Sequence, residues 1–218
     1  MAELLIGPML RFVDETTATV FVETNVSCRV SILGSETKTF TVAGHHYALV
    51  IIEGLAPGST SAYDVKLDGD VRWPEPLSKF PPSVIRTLGG PDHRTRVLFG
   101  SCRSAAPHEP PWSLSATEDR RGLGVDSLRA HGLRMLNQEP TSWPDLVLFV
   151  GDQVYADEPS PKTKHKVERR RRLRRRMSKP TSPKIVVGFE EYVSLYQEAW
   201  TPEVERWLFS VVPMRRRR

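Results

Sequence analysis

Cysteine is scarce: 218 residues carry two, Cys28 and Cys102. A small secreted scaffold stapled by disulfides needs more, so reduced thiols are expected. Long apolar runs are missing too. The longest, Ala48–Ile52 and Leu146–Val150, are five residues each, against roughly 20 to cross a bilayer. The opening MAELLIGPMLRF has no basic start, no sustained apolar stretch and no twin arginine, so no secretory leader is read there. These absences give the expectation of a cytoplasmic protein with no membrane span. Disorder is excluded by an apolar share of 39 % with 14 glycines added to it, which is enough to build a core. The length suits one large domain or two small ones.

Basic charge is concentrated rather than spread. The net charge is +5, yet Lys164–Lys179 alone holds ten Lys or Arg and one Glu, and Arg215–Arg218 adds four more. The rest of the chain is therefore acidic, and the basic character belongs to two short runs.

Residues 1–88 read as strands. Thr19–Thr24, Arg29–Leu33, Lys38–Val42, Tyr47–Ile52 and Tyr63–Leu67 are rich in β-branched and aromatic residues and mostly alternate. Turn signals separate them, and no helical window interrupts them. That predicts an antiparallel β-sandwich. The breaker cluster Gly89-Gly90-Pro91-Asp92 marks a linker over 89–95. Beyond it, over 96–218, the pattern becomes α/β. Arg96–Gly100 and Leu146–Val150 are continuous apolar strands, and Val125, Leu128, Gly132, Met135 and Leu136 trace one helix face between them. Strand, helix, strand predicts a parallel βαβ unit. Phe189, Tyr192, Val193, Tyr196 and Trp200 read as the core stripe of a further helix, and Thr201-Pro202 opens another. No internal repeat is present.

Both βαβ strands run into short polar clusters: Gly100-Ser101-Cys102-Arg103 and Gly151-Asp152-Gln153-Val154-Tyr155-Ala156-Asp157. Ligands of open parallel sheets sit beyond the strand C-termini, where these side chains converge. A thiolate, a carboxylate and a phenolate at one point suit a trivalent or borderline metal, and Asp152 has a second oxygen for a harder ion. Paired metals clamp a phosphate and activate water. Blander readings stand beside this one. Asp152 alone reads as a helix N-cap, and Cys102 alone as a small buried residue. Cys28 is read as core, and His45-His46 as a turn rather than a ligand pair, because neighbours on a strand face opposite ways.

RVLFGSCR, PDLVLFVGDQVYADE and GFEEYVSLYQEAW with RWLFSVVP resemble the PhoD-like (alkaline phosphatase D) branch of the calcineurin-like metallophosphatases. The resemblance implies a sandwich followed by an α/β metallophosphatase domain. Leu55-Ala-Pro57-Gly58 before Tyr63 likewise resembles the approach to the tyrosine corner of fibronectin type III-like modules, though with longer spacing. By the PhoD resemblance Cys102 is the thiolate ligand, Asp152 the metal-bridging carboxylate and Tyr155 the tyrosinate on a ferric ion. Calcium is the second metal, and phosphomonoesters or phosphodiesters are the substrates. Arg103 is a substrate-contacting candidate by position alone.

The family continues past a WLLSTVP-like segment into an Asp-Asp-His-Asp motif. Here Val211-Val212-Pro213 runs into Met214 and four arginines, and none of the six histidines lies in such a motif. The resulting expectation is a truncated or frame-shifted, catalytically incomplete phosphatase with only the first half of the α/β domain. Two alternatives stay open. The sandwich could act as a binding module, or the Arg-rich run could bind polyanions. That run, a basic insertion over 164–182, is read first as a solvated excursion, with nucleic-acid contact through Arg169–Arg176 as the functional reading.

Overall fold

The computed structural model describes residues 1–103, 107–157, 159–174, 186 and 188–216. The later part of the basic insertion, including Arg175 and Arg176, and the final Arg217 and Arg218 lie outside the described residues.

Ten strands fill the first 86 residues: β1 Leu4–Val13, β2 Ala18–Thr24, β3 Arg29–Ile32, β4 Ser35–Lys38, β5 Phe40–Val42, β6 His45–Ile52, β7 Thr60–Ala62, β8 Val65–Leu67, β9 Asp70–Trp73 and β10 Val84–Arg86. They form two four-stranded antiparallel sheets, ordered β1-β2-β6-β5 and β4-β3-β8-β9, with β7 and β10 paired separately. The expected antiparallel sandwich is therefore present. Alternate residues such as Val20, Val22, Val30, Ile32, Ala48, Val50 and Ile52 face inward and form its core, as a half-buried pleat requires. Cys28 belongs to that core, as expected.

The longest strand, β1, was not among those read from the sequence, and Gly7-Pro8 interrupts its pattern. The ladder shifts register between Ile6 and Met9 instead. Gly7 has φ +91°, and a Cβ there would meet the Phe21 carbonyl oxygen at 2.6 Å, so only glycine fits this irregularity. His45 and His46 open β6 rather than forming a turn. His45 Nδ1 lies 2.7 Å from Glu23 Oε1, while His46 Nδ1 lies 3.0 Å from Thr41 Oγ1.

The C-terminal part holds a parallel sheet, ordered β11-β12-β13, from β11 Val97–Gly100, β12 Leu146–Phe149 and β13 Met214–Arg216. The first two strands and helix α1, Ser127–Met135, form the expected βαβ unit. The third was not read from the sequence: Met214–Arg216 pairs in register with Val147–Phe149, and Met214 is fully buried. Consequently β12 is a central strand, with Val147 and Phe149 buried, and β11 is an edge strand, with Phe99 73 % exposed. Helices α2 Pro161–Arg174, α3 Phe189–Trp200 and α4 Glu203–Val211 complete the fold. No helix among the described residues is long and apolar enough to cross a membrane.

By internal contact the chain forms two discontinuous units. One comprises Met1–Gly100, Leu128–Val150 and Thr201–Arg218; the other comprises Ser101–Ser127 and Gly151–Trp200. This division runs differently from the sequence cut at 89–95, because α4 and the parallel sheet pack with the sandwich. Tyr63 shows why. Its buried hydroxyl donates to the Ser210 carbonyl of α4 at 2.7 Å, so it does not close a tyrosine corner on its own sheet.

The α3 stripe is also corrected. Its buried residues are Glu191, Val193, Ser194, Leu195 and Ala199, while Phe189 and Tyr192 are exposed. Arg171 of α2 turns Glu191 inward through paired contacts of 2.6 and 2.5 Å. A charged pair thereby adds a second packed face, on the side of the helix away from the aromatic spacing.

Candidate functional site

All four residues singled out by sequence, Cys102, Arg103, Asp152 and Tyr155, lie in the second unit. Two short loops carry them. The loops meet closely at Gly151, where a Cβ would stand 1.9 Å from Ser101 Oγ. A side chain at this position would have to displace the Ser101 hydroxyl and would press on the Ser101 Cβ at 3.1 Å. The Arg103 amide donates to the Asp152 carbonyl at 3.0 Å and ties the loops together.

Beyond Asp152 the chain anchors itself by alternate residues. Gln153 is buried, and Val154 and Ala156 pack on Val167, Val186 and Leu195. Asp152 and Asp157 remain exposed, and Tyr155 is half-buried. No helix begins at Asp152; the next starts at Pro161. The helix-cap reading of Asp152 therefore fails.

Cys102 is exposed, not the small buried residue its type alone suggests. Its φ of +56° is a left-handed conformation that a non-glycine residue seldom adopts, a form of strain that collects at functional sites. Its sulfur lies 3.1 Å from Ser101 Oγ. The Ser101 and Tyr155 hydroxyls hold the thiol below its ordinary value, partly opposed by the Asp152 carboxylate. Tyr155 is pushed up to about 12, first by its hydrogen bond to Cys102, then by desolvation and by the charges of Cys102, Asp152 and Asp157. The structure therefore brings Cys102, Tyr155 and Asp152 into one electrostatic cluster. Without a cation, the phenol donates to a sulfur that deprotonates readily.

Arg103 is engaged elsewhere. Its Nε donates to Asp126 Oδ2 at 2.9 Å, and its guanidinium also donates to the Ala199 carbonyl at 2.7 Å. Both side chains of the ion pair are nearly buried. These contacts give Arg103 a positioning task at the base of its loop. Ser101 and Asp157 belong to the cluster although the sequence reading did not select them. Asp157 was legible as the next carboxylate of the same run, whereas Ser101 had no signal beyond adjacency to Cys102.

A thiolate, a phenolate and a carboxylate form a charged, partly soft donor set. Calcium takes six to eight oxygens, and among the described residues the carboxylates acting on the cluster are those of Asp152 and Asp157. Among the described residues no group of three or more His, Cys, Asp or Glu side chains stands together as a metal site.

A domain-family model described only as a domain of unknown function (DUF7800) matches residues 1–85. A solved structure titled "Structure of PhoD" superposes on 98 % of this chain with a TM-score of 0.57 and 12 % identity. The likeness is one of fold. The chain spans 38 % of that structure's length. No curated protein sequence matches it.

Proposed function

We propose that the chain carries the iron-binding half of a PhoD-like, metal-dependent phosphoesterase centre, and that these 218 residues alone do not turn over phosphoesters. The observation that supports this reading is the pairing of Cys102 with Tyr155 beside Asp152, on loops that follow two adjacent parallel strands. Fold likeness to PhoD adds to it.

In this reading Cys102, Tyr155 and Asp152 hold the ferric ion, whose chemistry when bound is Lewis-acid polarisation of a phosphoryl oxygen. Ser101 eases loss of the thiol proton, and Arg103 keeps the two loops in register through its amide and its pair with Asp126. A calcium partner and a group to protonate the leaving alcohol need donors beyond this cluster.

The test is ferric titration of the purified chain followed by dialysis. One retained equivalent with a visible thiolate or tyrosinate charge-transfer band is expected. The band should shift in Tyr155→Phe and be lost with the iron in Cys102→Ser. No retained iron, or a band indifferent to both changes, overturns the metal assignment. Metal-dependent hydrolysis of bis-p-nitrophenyl phosphate by this chain overturns the assignment of incompleteness.

A second reading, binding through the sandwich, is favoured by one observation. Phe40, Val42, Leu49 and Ile51 are exposed on the adjacent strands β5 and β6, beside the stacked rings of Phe21 and Tyr47.

A further inference from the structure

The basic run is less uniform than its sequence. Helix α2 has two different sides. Thr163, Val167 and Arg170 follow helical spacing with Arg171 beside them, and these residues face the protein. Thr163 Oγ1 donates to Glu198 at 2.7 Å, Arg170 pairs with Glu190 at 3.2 Å, and Arg171 grips Glu191. Two of the arginines are therefore neutralised from within. Away from that face Lys162, Lys166, Arg169 and Arg172 repeat at three- and four-residue intervals, all four exposed, with the exposed Glu168 as the one acid of the helix beside Arg169 and Arg172. Among the described residues none of them makes an ion pair. The last lies ten positions after the first, a cationic stripe about 15 Å long.

We infer that the outward stripe Lys162–Lys166–Arg169–Arg172 binds the phosphate backbone of duplex nucleic acid without reading its sequence. Three features choose this partner. Helix α2 contains no Phe, Tyr or Trp, so it has no platform on which unpaired bases stack. Among the described side chains of the helix, Val167 is 5 % exposed and packed inside, so these side chains leave no broad apolar face to enter a lipid surface. A single helix fits the major groove, about 12 Å wide, between two phosphate rows. Lys166 feels this basic surface: partial burial first, then the charges of Arg170 and Lys162, hold its amine below the ordinary value, partly opposed by Glu198 and Glu190. An arriving phosphate relieves that repulsion.

Fluorescence anisotropy of a labelled 20-base-pair DNA duplex, titrated with the full chain from 50 to 300 mM salt, tests the inference. Micromolar to sub-millimolar binding that weakens steeply with salt is expected. Replacing both Arg169 and Arg172 by Gln should flatten the slope of log K against log salt by about 1.8, at about 0.9 per lost contact. Lys162→Gln with Lys166→Gln should do the same, which guards against an effect peculiar to one pair. Equal slopes in wild type and both double variants, or no binding at 50 mM salt, overturn the inference. So does binding to phosphatidylserine vesicles with none to the duplex.

Discussion

Cys28 and Cys102 share a side chain and differ in everything around it. Burial in the sandwich pushes the Cys28 thiol up, whereas Ser101 and Tyr155 draw the exposed Cys102 thiol down. Alkylation depends on the thiolate, so iodoacetamide near neutral pH is expected to label Cys102 and spare Cys28, as read by peptide mass spectrometry. Because the Cys102 pKa is lowered, its reaction should reach half its plateau at a lower pH than an ordinary thiol. Ser101→Ala should move that midpoint up, and Asp152→Asn, by removing a negative neighbour, should move it down. Equal labelling of the two cysteines, or midpoints unmoved by both variants, would contradict the geometry. The site residues that sit at strand ends were legible in the sequence because a short motif places them there. Arg103 stood in the same motif, but its partner Asp126 lies 23 positions away. Nothing local announces such a pair.

Elements were legible where one face is apolar and the other is not, as in β2 and β6. They were misread where charge or backbone does the packing. The inward turn of Glu191 on α3 depends on Arg171, and the ladder of β13 depends on β12, both distant in sequence. The packing of α1 on α4 is a third case. A Cβ on Gly132 would stand 2.6 Å from Val204 Cγ1, so the small residue permits the close approach. Gly132→Ala gains up to about 1 kcal/mol of helix propensity but forces a branched, stiff neighbour to move, at about 1–3 kcal/mol. Urea denaturation is expected to show a net loss. In a Val204→Ala background the same change should become neutral or stabilising, and additivity of the two would reject the contact. Met214 gives a simpler check. Met214→Ala should cost about 2–5 kcal/mol, as for a core residue, whereas a tail outside the fold would lose almost nothing.

At the scale of the molecule, the question is what folds with what. The change of pattern near residue 89 suggested a sandwich able to stand alone, yet α4 lies on it. Ser210 accepts from Tyr63 at 2.7 Å and bonds Ser83 Oγ at 2.7 Å, and Ser83 in turn receives Trp73 Nε1. Arg206 donates to the Gly7 carbonyl, pairs with Glu75 and sits 4.8 Å over the Trp73 ring. Trp207 is fully buried and stacks on Phe80. Burying one such tryptophan removes about 150–250 Å² from water, worth roughly 4–6 kcal/mol at about 25 cal/mol per Å². A fragment ending at residue 90 leaves that face bare, so it is expected to bind a hydrophobic dye and unfold at lower urea than the sandwich of the full chain. Hydrogen exchange on the full chain supplies the complement. Amides of β12 and β13 should open with those of β1 and β2, while those of α2 and α3 in the second unit open separately. Equal midpoints for fragment and full chain, with β12 exchanging apart from β1, would restore the boundary at residue 89. The opposite pattern makes α4 part of the sandwich's stability, and any variant that loosens α4 will then act on both ends of the chain at once.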